Sequence, residues 1–377
     1  MGKPAPQESP YYEHRVTDYL ETLLQSWGLP IERVAVHPGR DNLLTRLDGT
    51  GSSQARPLIL FEVHQDTVPV EGMSIAPFGG EICEGKLYGR GACDVKGGMT
   101  SMLVALSRLM GEEERPNDLV LAFTINEEFG FTGATSLVET WSRGNSKLLP
   151  RAPDAIIVAE PTQLDVVVAH KGVVRWRAAA QGRAAHSSRP DRGVNAIYSM
   201  ARAISALEEV AISLTASAEH ALLGRPSLSV GTIEGGVSVN TVPDLCTIEI
   251  DRRLLPGELP EEAYQSAIST VTSRLALQDR IEHSEPFIIS RGLSSKRNGR
   301  LAAKLGEISS RHGDYGKAIG VPFGTDAAPF DAAGVPTVVF GPGDIAQAHT
   351  ANEWIELQQV EQAADILRQF CLEYEAQ

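Results

Sequence analysis

Short apolar runs alternate with amphipathic stretches along much of this chain. Tyr12, Val16, Tyr19, Leu20, Leu23 and Leu24 recur at helical spacing, which predicts a first helix opened by Ser9 and Pro10 and closed by Gly28. The runs Leu58 to Val63, Leu119 to Ile125, Ala155 to Ala159 and Thr337 to Phe340 have the length of strands and carry no polar alternation. That pattern predicts strands buried on both faces. Between the first two, Met99 to Met110 repeats Met, Leu and Val after Gly97 and Gly98, which predicts a helix. Strands alternating with helices imply an α/β layered sheet.

The middle of the chain has another rhythm. It predicts strand Val173 to Gln181, helix Gly193 to Glu208, strand Ser227 to Ile233, strand Cys246 to Arg252, helix Glu261 to Leu277 and a last strand near Pro286 to Ile289. This β-α-β-β-α-β order is that of a ferredoxin-like unit. The expected architecture is therefore an α/β sheet domain, residues 1–171 and 291–377, with residues 172–290 inserted as a second domain. Two domains also suit 377 residues.

Composition narrows the function. A net charge of −14 disfavours phosphate backbones, which argues against nucleic-acid binding. No apolar run approaches the ~18 residues of a membrane span. Met1 to Glu8 carries no apolar core of a secretory signal, so a cytoplasmic location is the default expectation. Cys83, Cys93, Cys246 and Cys371 show no metal-type pairing and are expected to be reduced, mostly buried thiols.

The polar residues that matter fall where predicted strands end. Leu58 to Val63 runs into His64, Gln65 and Asp66; Leu119 to Ile125 runs into Asn126, Glu127 and Glu128; Ala155 to Ala159 runs into Glu160. In open α/β sheets, sites form beyond the carboxyl ends of strands, so these groups can converge although distant in sequence. Asp94, in the Gly-rich stretch Gly89 to Gly98, and His349, after Gly341 to Gly343, can join them. One His with two or three carboxylates suits a divalent metal, and this set suffices for two ions sharing one carboxylate. Asp66, two residues beyond His64, is placed to accept that ring's other N–H. Each element alone is more often a surface pair, a core histidine with a partner or a solvated carboxylate; the shared position at strand ends joins them. The glycines around Asp94 match neither a P-loop nor a dinucleotide fingerprint, so close backbone packing is the better account.

These segments resemble the family of dinuclear zinc hydrolases that includes aminoacylase and acetylornithine deacetylase. The likeness runs from about Leu58 to Leu357 and rests on His64-Gln65-Asp66-Thr67-Val68-Pro69, Gly91-Ala92-Cys93-Asp94-Val95-Lys96-Gly97-Gly98, Asn126-Glu127-Glu128, Glu160-Pro161-Thr162, Gly182 to Ser188, Arg253 to Glu258 and Ala348-His349. Cys93 departs from the small or polar residue more usual there. The resemblance implies two divalent ions, zinc or cobalt. Asp94 would bridge them, with His64 and Glu160 on one ion and Glu128 and His349 on the other. It makes Glu127 the general base toward a metal-bridging water, which is reasonable for a carboxylate that is not itself a ligand. It also implies that the inserted domain serves as dimerisation and lid domain of a homodimer, with His186 reaching the partner's active site as an oxyanion donor. Asn240 and Arg253 match positions that contact the oxyanion and the substrate carboxylate, and Arg suits a bidentate grip on a carboxylate. Arg253 could instead form a strand-end salt bridge, and Arg252 is the more structural of the two. Gly324 and Thr325 resemble a loop lining the substrate pocket, while Thr325 or Asp326 is placed to cap a helix beginning near Ala327.

Specificity is the finer question. Ala169-His170-Lys171-Gly172, Gly341-Pro342-Gly343 and Gln347-Ala348-His349 look closest to the acetylornithine deacetylase branch, and Lys171 stands where desuccinylases tend to carry Arg. The expected substrate is a small N-acyl amino acid with a short neutral acyl group. A succinyl-diaminopimelate desuccinylase, a carboxypeptidase or dipeptidase of the same family, and a dimeric binding protein without catalysis are the alternatives.

Overall fold

The computed structural model describes residues 12–50, 56–276 and 279–375. They form two compact units. The first runs through Val168 and resumes over Ser294–Gly320 and from Thr325; the second is Ala169–Leu293 with Val321–Gly324.

An eight-stranded sheet forms the first unit, in the order Ile31–His37, Arg40–Leu47, Asp118–Thr124, Leu58–His64, Ala155–Val158, Thr337–Val339, Val166–His170, Ala318–Val321. Leu58–His64 lies parallel to both Asp118–Thr124 and Ala155–Val158, so the carboxyl ends of all three open on the same side. All three are buried along their whole length, as runs without alternation require. Ile59, Phe61, Val63, Leu121 and Phe123 share one core with Met102 and Leu106 of helix Gly97–Met110, Leu305 of helix Gly299–Ser310 and Phe370 of helix Leu357–Glu373. Arg40–Leu47 pairs antiparallel with Asp118–Thr124, and Ile31–His37 antiparallel with Arg40–Leu47, so the sheet is mixed.

The first helix spans His14–Ser26, with Leu20 and Leu24 in that core and Gly28 at φ +74° just past its end. Glycine carries that left-handed turn without steric cost. Ser9 and Pro10 lie outside the described residues. Tyr19, expected among the inward positions, faces solvent, because Leu20 beside it takes the core-facing direction.

In the second unit the element order is that of the ferredoxin-like pattern. Its antiparallel sheet runs Ser227–Gly235, Leu245–Leu254, Gly172–Gln181, Arg280–His283, with Ile288–Ser290 also paired to Gly172–Gln181. Helices Ala196–Thr215 and Pro260–Arg274 contribute Met200, Ala203, Leu207, Tyr264, Ala267 and Val271 to a core with Val174, Trp176, Ile248 and Ile250. The first of these helices starts later than the pattern predicts, since Gly193 is extended and Asn195 caps it by accepting from Tyr198 N at 3.2 Å. It also runs on past Glu208, because Val210, Ala211 and Leu214 keep packing against the core. The terminal strand near Pro286 is two short strands instead. Arg-Ile-Glu-His at 280–283 is too brief and too charged to announce itself. Where this unit begins and ends, His170 bridges Leu293, and a Cβ on Gly172 would meet Ser290 O at 2.5 Å.

Cys93, Cys246 and Cys371 are buried free thiols, whereas Cys83 is exposed. Among the described residues, no helix is long and apolar enough to cross a membrane.

Trp176 is fully buried, packs edge-on against Tyr264 at 5.3 Å and donates its indole N–H to His283 Nδ1 at 3.1 Å. Trp176→Ala should cost about 3–5 kcal/mol in denaturant unfolding followed by far-ultraviolet circular dichroism. A loss under about 1 kcal/mol would show that the second unit does not depend on this core.

Candidate metal centre

The three parallel strands deliver their polar ends to one place. His64 closes its strand; Glu160 follows the strand that ends at Val158; Glu127 opens a short helix after Asn126, whose φ of +65° turns the chain sharply beyond Thr124. Asp94 arrives on the glycine-rich stretch that leads into helix Gly97–Met110. There the Asp94–Val95 peptide is cis, Gly91 has φ +79°, and a Cβ on Gly97 would meet Ile355 Cδ1 at 2.3 Å. His349 completes the set from a residue with φ +61°, an uncommon backbone conformation for a non-glycine residue.

His64, Asp94 and Glu160 form one group whose ligand atoms all lie within 4.8 Å of one another, and Asp94, Glu128 and His349 form a second. Asp94 belongs to both. Its Oδ1 lies 3.1 Å from His64 Nε2, while its Oδ2 lies 3.2 Å from His349 Nε2. His349 Nε2 is also 3.2 Å from the Glu128 carboxylate, and His64 Nε2 is 4.0 Å from Glu160 Oε1. Ligands ~2.0–2.2 Å from a tetrahedral ion stand about 3.3 Å apart, so these separations fit two divalent ions, one in each group.

The electrostatics fit the same reading. Burial, then the charge of Glu160, pushes the Glu127 carboxyl well above its ordinary range; burial, then the charge of Asp94, does the same to Glu160; and burial raises Glu128. Burial would raise Asp94 too, but hydrogen bonds from His349 and His64 hold it low. His349 is pushed up to about 10 by its bonds to Asp94 and Glu128. So many buried acids around two imidazoles form a set that cations complete.

Asp66 pairs with the His64 ring, as its spacing suggests, and holds more than that ring. The shorter contact of His64 Nδ1 is to the backbone oxygen of Asp66, at 3.1 Å, with the carboxylate at 3.6 Å. Asp66 uses that carboxylate to accept from Glu127 N and Glu128 N, each at 3.1 Å, which fixes the turn carrying both glutamates. Thr325 Oγ1 accepts from Ala327 N at 3.2 Å, as a helix cap does, but Asp326 does not cap. Asp326 instead lies buried beside Glu62, both in contact with Thr124 Oγ1, and burial pushes Glu62 up to about 7. Glu62 is the one acid within the run Leu58 to Val63, and the run does not show its pairing with Asp326.

The remaining predicted residues, apart from Gly324 and Thr325, lie within Ala169–Leu293 of the second unit. His186 and Asn240 are exposed neighbours there: strand Ala185–His186 pairs with Thr241–Val242, and Ser187 N donates to Asn240 O at 3.0 Å. Arg253 is held by Asp251 at 2.7 Å, an acid it shares with Arg175. Arg252 is buried and bound to Glu258, the structural role expected of it. Lys171 Nζ donates to Arg225 O at 2.5 Å, and burial, then the charges of Arg253 and Arg252, lowers its pKa. Gly324 closes the segment Val321–Gly324 of the second unit, whereas Thr325 begins the return to the first.

Residues 60–373 match the profile of Peptidase family M20/M25/M40. The chain belongs to that family. It is therefore a hydrolase of the M20 kind, and the resemblance read from its motifs holds. It is 30% identical over 358 residues to an acetylornithine deacetylase of Myxococcus xanthus, covering 93% of this chain and 89% of that one. An M20 family metallo-carboxypeptidase from Sulfolobus solfataricus shares its fold with a TM-score of 0.76, at 20% identity, over 95% of this chain and 93% of the other. A dinuclear metal-binding M20 peptidase of Bacillus subtilis, the YXEP protein, superposes with a TM-score of 0.64 at 17% identity over 96% and 92% of the two chains.

With Asp94 common to both groups, Asp94→Asn should cost both ions, whereas His64→Ala and His349→Ala should each cost one. Metal analysis after dialysis measures this. Two ions retained by Asp94→Asn would refute the shared position.

Proposed function

We propose that this protein is a dinuclear metal-dependent amidohydrolase that removes a short acyl group from the amine of an amino acid, as an acetylornithine deacetylase does. The observation that carries the reading is Asp94, with one carboxylate oxygen toward His64 and the other toward His349. His64, Asp94 and Glu160 would hold one ion and Asp94, Glu128 and His349 the other, zinc or cobalt in each. Bound there, the ions act as Lewis acids toward the amide carbonyl and lower the pKa of water.

Glu127, part-buried, interacts with the charges of Glu160, His64 and Glu128 but belongs to neither ligand group, and loss of water raises its proton affinity. Its carboxylate takes the proton of the attacking water and returns it to the departing amine nitrogen. Asp66 keeps Glu127 and Glu128 in place through their backbone amides. The unit at 172–290 serves as dimerisation and lid domain, and a partner's His186, with Asn240, donates hydrogen bonds to the tetrahedral oxyanion. Arg253, preset by Asp251, grips the α-carboxylate, with Lys171 beside it and the Gly324-Thr325 backbone along the pocket. The likeness to a curated acetylornithine deacetylase over most of both chains supports a short neutral acyl group.

A hydrolysis panel of N-acetylornithine, N-succinyl-diaminopimelate, other N-acyl amino acids and dipeptides tests the substrate, with N-acetylornithine expected to show the highest kcat/KM. Preference for a dipeptide would replace the deacylase reading by a peptidase one. Glu127→Ala should retain both ions and lose about 10²–10⁴-fold in kcat; near-wild-type turnover would overturn its assignment. Mixing His186→Ala with Glu127→Ala should restore up to one functional site per mixed dimer if His186 acts across the interface, and no activity if it does not.

A further inference from the structure

Glu353 is a fully buried acid that the motifs do not single out. Its Oε1 accepts from Cys93 N at 2.9 Å and Asp94 N at 3.0 Å; its Oε2 accepts from Gly91 N at 3.1 Å and Arg90 Nη1 at 2.6 Å. Its backbone oxygen accepts from Gly89 N at 3.0 Å. One side chain therefore takes donors from four of the five successive residues Arg90 to Asp94, all but Ala92, ending at the residue shared by both ligand groups. Glu353 also stands four residues after His349, and Arg90 Nη2 reaches back to Thr350 O at 3.4 Å. The carboxylate thus joins the segment that carries His349 to the loop that carries Asp94.

A buried ion pair with Arg90 alone would be an ordinary structural feature. The bonds to the amides of Cys93 and Asp94 go further, because they fix the backbone from which the shared carboxylate projects. Both oxygens face donors, a demand that only a carboxylate meets. An amide of the same shape would turn its NH₂ toward N–H groups on one side or the other.

We propose that Glu353 is a positioning residue of the metal centre, setting Asp94 against His349 so that their group closes on an ion. The inference rests on the dinuclear reading above. Two members of the Asp94, Glu128, His349 group sit on the segments Glu353 joins, but only one member of the His64, Asp94, Glu160 group does. Loss of Glu353 therefore weakens the first group more than the second, which a general loss of stability does not do.

The test measures Zn²⁺ affinity by calorimetry against a competing chelator, using the full chain with His64→Ala to isolate the His349 group and with His349→Ala to isolate the His64 group. Adding Glu353→Gln should weaken binding about 10–100-fold in the His64→Ala background and distinctly less in the His349→Ala background. Unchanged affinity in both, or an equal loss in both, overturns the proposal. Should Glu353→Gln fail to fold, Glu353→Asp carries the same comparison, since its shortened carboxylate cannot reach all four donors; the same asymmetry supports the proposal and its absence overturns it. Wild-type protein that binds fewer than two ions refutes the dinuclear reading, and this inference with it. Two ions in wild type without the asymmetry refute this inference alone.

Discussion

The centre is governed by crowding of negative charge. Asp94, Glu127, Glu128 and Glu160 converge on two histidines in a buried space, and every one of the glutamates is pushed toward its protonated form by loss of water and by its neighbours. Folding alone leaves such a set costly. The chain meets the cost with rigid support: parallel strands aim three of the groups, Asp66 bonds the amides of two of them, and glycine at tight points lets the Asp94 loop lie flat against its surroundings. Donor atoms held in fixed positions suit an ion that matches their spacing.

Much of this was legible in the sequence, for a reason that applies to particular residues. Strands buried on both faces are written as largely apolar runs without alternation, so the polar residues just past such a run mark the edge of the sheet. His64, Glu127, Glu128 and Glu160 stand out in this way. Asp94 and His349 do not end strands, and it was the wording of their motifs, not periodicity, that joined them to the set. The ferredoxin-like unit was readable from its element order because its core helices are long and its central strand alternates.

What stayed hidden depends on backbone rather than side-chain pattern. Glu353 acts through N–H groups of Gly91, Cys93 and Asp94, which no residue type advertises. Glu62 is an acid inside an apolar run, and its partner Asp326 lies far along the chain, so neither reads as half of a pair. The spacing of Asp66 from His64 points to the ring partner; it does not point to the two amides across the adjoining strand end that the same carboxylate also accepts from. The edge strand Arg280–His283 was missed because a pairing partner on only one side allows charged residues at every other place.

The meeting of His170 with Leu293, and the tight passage of Gly172 past Ser290, bring the start and finish of the long excursion from Ala169 to Leu293 to a single pinch point. A module tethered at a pinch can grow, shrink or change its surface without altering the path of the strands that carry the acids.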